Sequence, residues 1–240
     1  MRAYHHFSIH RSWRHLAVAL CFFLVPLFGL FLFSFVSGIS FYATVTDLLI
    51  SMWRLGVAFV ISTVLAWVLV VLLIKGKTEG LALTVFDVMQ SLPTFTILPI
   101  AVHYLGQSEK TIIFFLVITI IWPIIFSIVS SIKQVDNSWR DAVAMSRIKG
   151  IDYIRYYLFP VTAPGIVTGA IIGLGDGWEA LIATEIILQS KTGLGAFFQG
   201  FQSSSAETLL GVIVFLSVVY TINKLIWLPL LEKSHRLLAL

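Results

Sequence analysis

The amino-acid sequence predicts an all-α integral membrane protein with six transmembrane helices and a short cytoplasmic helix between the fourth and the fifth. Three observations lead there. Of the 240 residues, 58% are hydrophobic and only 12% charged, where soluble domains are roughly a quarter charged; mean hydropathy is +0.96. Six stretches have the length and apolarity to cross a bilayer core about 30 Å thick, which takes roughly 20 helical residues. Lys and Arg are divided very unevenly between alternate loops, as the positive-inside rule requires.

The six spans follow in order. Leu16–Val36 carries no charge and is too long for a signal-peptide core of about 7–15 residues. Leu55–Ile74 is the second span. The third, Leu81–Leu105, is broken by Pro93 and Pro99 and carries Asp87, Gln90 and His103. Thr111–Ile132 is the fourth. Pro164–Leu188, the fifth, is interrupted by Asp176, Glu179 and Glu185; Thr208–Leu231, the sixth, carries Lys224. With the N-terminus inside, the cytoplasmic segments hold Arg2, Arg11, Arg14, Lys75, Lys77, Lys133, Arg140, Arg147, Lys149, Arg155, Lys233 and Arg236, and the outer loops only Lys110 and Lys191. Both termini are therefore expected in the cytoplasm. The organisation is a cytoplasmic segment 1–15, a membrane domain 16–232 with a cytoplasmic loop at about 133–159, and a cytoplasmic tail 233–240.

Composition also excludes. A chain this rich in Leu, Ile, Val and Phe is not disordered. Cys21 is the only cysteine, so there is no disulfide framework and no cysteine-based zinc site. A net charge of +4 with scattered basic residues does not suit nucleic acid. No Gly-x-x-x-x-Gly-Lys-Ser/Thr loop is present to cradle ATP phosphates and no His-Glu-x-x-His motif to hold zinc, so no cofactor or metal is expected in this chain. His5, His6 and His10 stand among arginines in a segment read as facing lipid headgroups.

In the 133–159 loop, Ser138-Trp139-Arg140-Asp141 reads as a capping box. Trp139, Ala142, Val143 and Ser146 then share a face, and Gly150 is the expected C-terminal stop. A helix of about three turns here either lies on the headgroups or docks into a groove of a cytoplasmic partner.

These residues carry a resemblance. Asp141-Ala142-Val143, followed eighteen and nineteen residues after Asp141 by Phe159-Pro160, resembles the EAA loop of ABC importer permeases, the stretch through which they contact their ATPases. The continuation FPVTAPGIVTG from Phe159 is similar to the branch importing nitrate, sulfonates, taurine and like anions. MWRLGVAFVIS from Met52, DVMQSLPTFTILPI from Asp87, GLGDGWEALIATEII from Gly173 and TGLGAFFQGFQ from Thr192 extend the resemblance over about Leu48–Leu231. The chain departs from the family pattern at Asp141 (Glu), Val143 (second Ala), Arg147 (Gly), Tyr157 (Ile) and Phe159 (Leu). Because left-handed backbone costs a non-glycine residue roughly 1–2 kcal/mol, Arg147 is expected to stay helical and the helix to run about one turn further, to Gly150.

The resemblance implies a permease subunit of an ATP-driven importer for a small anion. Its ATPase-coupling residues would be Asp141, Ala142, Val143, Ala144, Arg147, Gly150 and Pro160. Implied partners are two cytoplasmic ATPase subunits, which bind the ATP and magnesium, a second permease subunit (the same chain or a relative), a solute-binding protein and membrane lipid, in a prokaryotic inner membrane. The alternative is an ion-gradient-driven secondary transporter, which predicts inverted repeats; none is detectable. An intramembrane enzyme would need a nucleophile and base at one depth, and the acids here cluster without them.

Candidate translocation residues lie in two spans. Gly165, Gly169, Gly173 and Gly177 recur every fourth residue, a face that allows close helix packing or borders the path. Trp178 and Glu185, seven residues apart, point in similar directions, and similar positions occur in the anion-importer permeases. Ionisable groups at bilayer depth mark a pathway or find a partner; for these acids the candidate partners are Arg54 and Lys224. In the third span, Gln90, Pro93 and Thr94 read as pore-lining, or as a kink packed within the bundle.

Overall fold

The computed structural model of the chain describes residues 24–25, 28–36, 38, 40–73, 78–200 and 205–236. Among them every regular element is helical. Helix α1 covers residues 28–36. It is followed by α2 (Phe41–Leu73), α3 (Thr78–Ser91), α4 (Thr94–Leu105), α5 (Glu109–Lys133) and α6 (Asn137–Ser146). Helix α7 runs from Gly150 to Ile187, α8 is Leu194–Gly200, and α9 (Ser205–Ile222) continues through a π turn at Asn223–Trp227 into α10 (Leu228–Arg236).

Among the described residues, four helical stretches have the length and apolarity to cross a membrane: Phe41–Leu73, Glu109–Lys133, Gly150–Ile187 and Thr208–Ser234. They contain the fourth and sixth expected spans and, up to Leu73 and Ile187, the second and the fifth. The third is a bent pair, Gly80–Ser91 and Thr94–Leu105, turned by 83° at Pro93, which cannot continue the hydrogen-bond ladder of the preceding helix. Pro99, by contrast, lies inside α4. Most of the first expected span, and the whole 1–15 segment, fall outside the described residues.

Helix α5 is the centre of the bundle. Phe115, Leu116, Ile120, Ile124, Ile125 and Ile128 are buried on it, and α7 lies against it along the glycine face. The fit is small against large. A Cβ at Gly165 would stand 2.5 Å from the Ser127 carbonyl oxygen, and one at Gly169 2.5 Å from Ile124 Cα, so α7 touches the α5 backbone itself. Helix α2 packs on the same core through Leu55, Ala58, Ala66 and Val70. The opposite surface is apolar: Trp53 is 72% exposed and Phe35 81%, as in a surface covered by something other than water.

Three boundaries differ from the sequence expectation. Helix α7 starts at Gly150, not Pro164, so the end of the expected loop is already helix. It passes Pro160 by way of a π turn at Ile154–Leu158, a wider turn just ahead of a residue that has no N–H to give. Helix α6 ends at Ser146, with Arg147 itself in the left-handed conformation (φ 54°, ψ 22°). Arg147 therefore takes the helix-ending place expected of Gly150, and Gly150 (φ 63°) starts α7 instead of ending α6. The N-cap is also shifted: the carboxylate of Asp136 accepts from the Ser138 amide at 2.8 Å. Asp caps as well as Ser, and here Asp136 leaves the helical conformation (φ −58°, ψ 143°).

Candidate functional site

At the bundle end where α5 begins and α7 finishes, a charged cluster is built from four segments. Helix α2 contributes Asp47, Ser51 and Arg54, spaced by three and four residues and hence on one face. Arg54 is 1% exposed and Glu185 0%. Arg54 Nη1 donates to Glu185 Oε1 at 2.6 Å and to the Thr192 carbonyl at 2.9 Å. Its Nε donates to Glu109 Oε2 at 2.7 Å and its Nη2 to Glu109 Oε1. Ser51 Oγ donates to Glu185 Oε1 at 2.8 Å, and Glu185 Oε2 accepts the Gly195 amide at 2.7 Å. One arginine thus joins two carboxylates, and the buried carboxylate is satisfied on both oxygens, the condition for tolerating an ion pair away from water.

The segment leading into α8 closes this cluster with its backbone. The amide of Gly193 donates to Asp47 Oδ1 at 2.8 Å and that of Leu194 to Ser51 Oγ at 2.9 Å. Gly193 is needed twice over. Its φ is +104°, and a Cβ there would lie 2.6 Å from Glu185 Oε1 and 2.7 Å from Arg54 Nη1. Chemically the cluster is a clamp tying the ends of α2, α5 and α7 to the 188–195 segment.

Of the candidate path residues, Glu185 is the one in this clamp. Trp178 is 8% exposed and meets Phe215 edge-on at 5.2 Å between ring centroids. With Leu55, Phe59, Asn223 and Trp227 it lines a cavity of about 190 Å³. Gly173 faces α5, its would-be Cβ 3.0 Å from the Ile120 carbonyl oxygen, and Gly177 sits between α2 and α5, its would-be Cβ 2.9 Å from Leu55 Cδ1 and 3.0 Å from Ile120 Cδ1. Asp176 and Glu179 point outward and are exposed. At the α3–α4 bend Gln90 and Pro93 are exposed and Thr94 half-buried; the Gln90 amide donates to Asp87 Oδ1 at 3.0 Å. The structure therefore does not gather Gln90, Pro93 and Thr94 with Trp178 and Glu185 into one pocket of this single chain.

The ATPase-coupling candidates lie along α6 and the start of α7. On α6, Asp141 and Ala142 are exposed and Val143 half-buried; Trp139 is 41% exposed and Met145 82%. Outside the membrane-spanning helices, hydrogen bonds from the Ser138 hydroxyl, and then from its amide, hold the Asp136 carboxyl below the usual carboxylate range. Arg147 and Gly150 flank the turn into α7, and Pro160 follows the π turn.

Arg54 as a partner for the acids was readable, because a cation inside an apolar run must find an anion. Glu109, Ser51 and the amides of Gly193–Gly195 were missed. Glu109 sits at a loop edge where no local signal distinguishes it from a solvated acid; the spacing of Asp47, Ser51 and Arg54 was the available clue.

Comparison with known proteins converges. Residues 58–226 match the family described as binding-protein-dependent transport system inner membrane component. The nitrate import permease protein NrtB of Synechocystis sp. is 29% identical over 184 residues, 76% of this chain and 64% of that protein. The bicarbonate transport system permease protein CmpB of Synechococcus elongatus is 24% identical over 135 residues, 56% of this chain and 49% of the relative. The taurine transport system permease protein TauC of Escherichia coli is 26% identical over 126 residues, 52% and 46% respectively. The chain thus spans between about half and just under two thirds of the length of these relatives.

Proposed function

Because this chain belongs to the family of binding-protein-dependent transport system inner membrane components, we propose that it is the permease subunit of an ATP-driven importer for a small anionic solute. In this reading six helices cross the membrane, the first of them around residues 16–36, and both termini are cytoplasmic. A second permease subunit completes the path, a solute-binding protein delivers the solute to the outer face, and two cytoplasmic ATPase subunits hold ATP and magnesium. Nitrate, bicarbonate and taurine, the solutes in the relatives' names, all carry an oxyanion group, and that group defines the solute class proposed here.

The observation that supports coupling is α6. It is a ten-residue helix between two long apolar ones, with Met145 and Trp139 exposed and both ends fixed, by the Asp136 cap and the left-handed Arg147. A helix anchored this way moves as a unit with α5 and α7. Closure of the ATPases against α6 rocks those helices, and because α7 contacts the α5 backbone through glycine, the pair moves together.

The test is a charge on the exposed face. Ala142 is exposed, and an unpaired charge buried in a partner interface costs several kcal/mol even after relaxation. Ala142→Glu is therefore expected to insert and fold normally but to lose the ATPase on co-purification, with Asp141→Asn milder. Normal ATPase retention and normal transport by Ala142→Glu would remove α6 from the coupling path.

A further inference from the structure

The guanidinium of Arg54 faces two different environments. Its Nη1 side meets Glu185, and the two side chains are 2% and 0% exposed. Its Nε and Nη2 form a fork gripping both oxygens of Glu109, yet the Glu109 side chain is 62% exposed. Glu109 borders a polar cleft of about 350 Å³, which is also lined by Gln107, Ser108, Gln189, Ser190, Lys191 and Thr192. Thr192 Oγ1 accepts from Arg54 Nη2 at 3.3 Å, so the cleft reaches the fork.

We propose that the Nε–Nη2 fork of Arg54 is a binding site for a planar oxyanion such as nitrate or bicarbonate, and that the Glu109 carboxylate is its tethered, exchangeable occupant. The fork matches a flat pair of oxygens, a shape that a carboxylate, nitrate and bicarbonate share. The inner pair cannot exchange, because breaking a buried ion pair strands a charge. The outer pair can: Glu109 is 62% exposed, so its carboxylate regains water as it leaves, and the arriving anion takes over the fork of the buried Arg54. Arg54 is held by Glu185 from the other side, so it keeps its place when Glu109 swings out, and the arriving monoanion restores the charge that left. Lys191 on the cleft wall adds attraction for the newcomer. A solute reaching this end of the bundle would release the start of α5 from the clamp while α2, α7 and the 188–195 segment stay joined.

This site rests on the anionic-solute reading of the proposed function, and its test is separable from that reading. The full chain in detergent is titrated calorimetrically with sodium nitrate, and with formate, sulfate and chloride, at constant ionic strength. Removing the tethered competitor with Glu109→Gln is expected to tighten nitrate and formate binding by about five-fold, the upper end of what exposed pairs contribute, because only Glu109 of this pair is exposed, and to leave sulfate and chloride unchanged. Glu109→Asp, with its charge withdrawn by one methylene, tightens nitrate by less. Adding Arg54→Lys to Glu109→Gln keeps a cation for Glu185 but removes the fork, and abolishes the gain. Nitrate affinity that stays at the parent value in both Glu109 variants, or an equal gain for all four anions, overturns the site. The importer reading fails on a different result, the absence of ATP-driven anion uptake by the assembled transporter, whatever the titrations give.

Discussion

Adding one methyl group at Gly169 is expected to push α7 off α5. A Cβ built there lies 2.5 Å from Ile124 Cα, 2.9 Å from the Pro123 carbonyl oxygen and 3.1 Å from Ile124 N. Ordinary contact needs about 1 Å more than the shortest of these, and the obstacle is backbone, which cannot rotate aside as a side chain does. Overpacking typically costs 1–3 kcal/mol, and a rigid obstacle puts Gly169→Ala at the upper end, about 3 kcal/mol. At roughly 2–4 °C per kcal/mol for a chain of this size, the melting temperature should fall by about 6–12 °C. Gly175→Ala is the matched control: same helix, same substitution, nothing within 4 Å of the new atom, and a helix-propensity gain of up to about 1 kcal/mol. Gly173→Ala, with its nearest obstacle at 3.0 Å, should fall between the two. The assay is thermal unfolding in detergent, followed by the fluorescence of the seven tryptophans. A Gly169→Ala protein melting within about 2 °C of the parent, or below it by no more than Gly175→Ala, would refute the backbone-contact account.

Three further outcomes follow from the same geometry. Arg54→Met strands the Glu185 carboxylate in a buried site and should cost about 3–5 kcal/mol, whereas the double change Arg54→Met with Glu185→Leu should be less harmful than the arginine change alone; melting curves of the three proteins decide. Asp136→Ala should raise amide exchange in the first turn of α6 several-fold, and the parent should show the same effect with acid. Since the folded carboxyl lies below its ordinary value, the cap is fully present above the usual Asp pKa of about 3.9 and is lost as pH falls through the lower folded value, so exchange corrected for intrinsic rate should be flat above pH ~5 and rise below pH ~4. In a variant lacking Cys21, single cysteines at Gly106 and Gln189 should label from outside, and one at Ser146 only from inside; outside labelling at Ser146 contradicts the proposed orientation.

What the sequence made readable was periodic or compositional. The four-residue glycine repeat marked a close-packing face, but that α5 meets it, and at backbone distance, is a matter of tertiary register that no spacing in α7 encodes. Pro93 marked a break, while the 83° turn depends on how α4 packs Leu98 and Ala101. The ends of α6 were misplaced because capping preferences are nearly degenerate: Asp136 and Ser138 cap equally well, and the left-handed penalty of roughly 1–2 kcal/mol at Arg147 is small enough for the turn into α7 to carry. At the clamp, a charge in an apolar run announced that Arg54 needs an acid. The pairing with Glu109 joins residues 55 positions apart, one inside α2 and the other at the start of α5, and nothing local to either residue points to it.

The most direct test of the central claim is solute uptake into proteoliposomes holding this chain with the ATPase, permease and binding-protein subunits proposed as its partners. Nitrate or a related oxyanion is expected to enter only when ATP is supplied on the ATPase side and binding protein on the other, and uptake to continue after protonophore and ionophore have collapsed all ion gradients. Uptake by the chain without ATPase, driven by an imposed ion gradient and abolished by its collapse, would identify a secondary transporter and contradict the account.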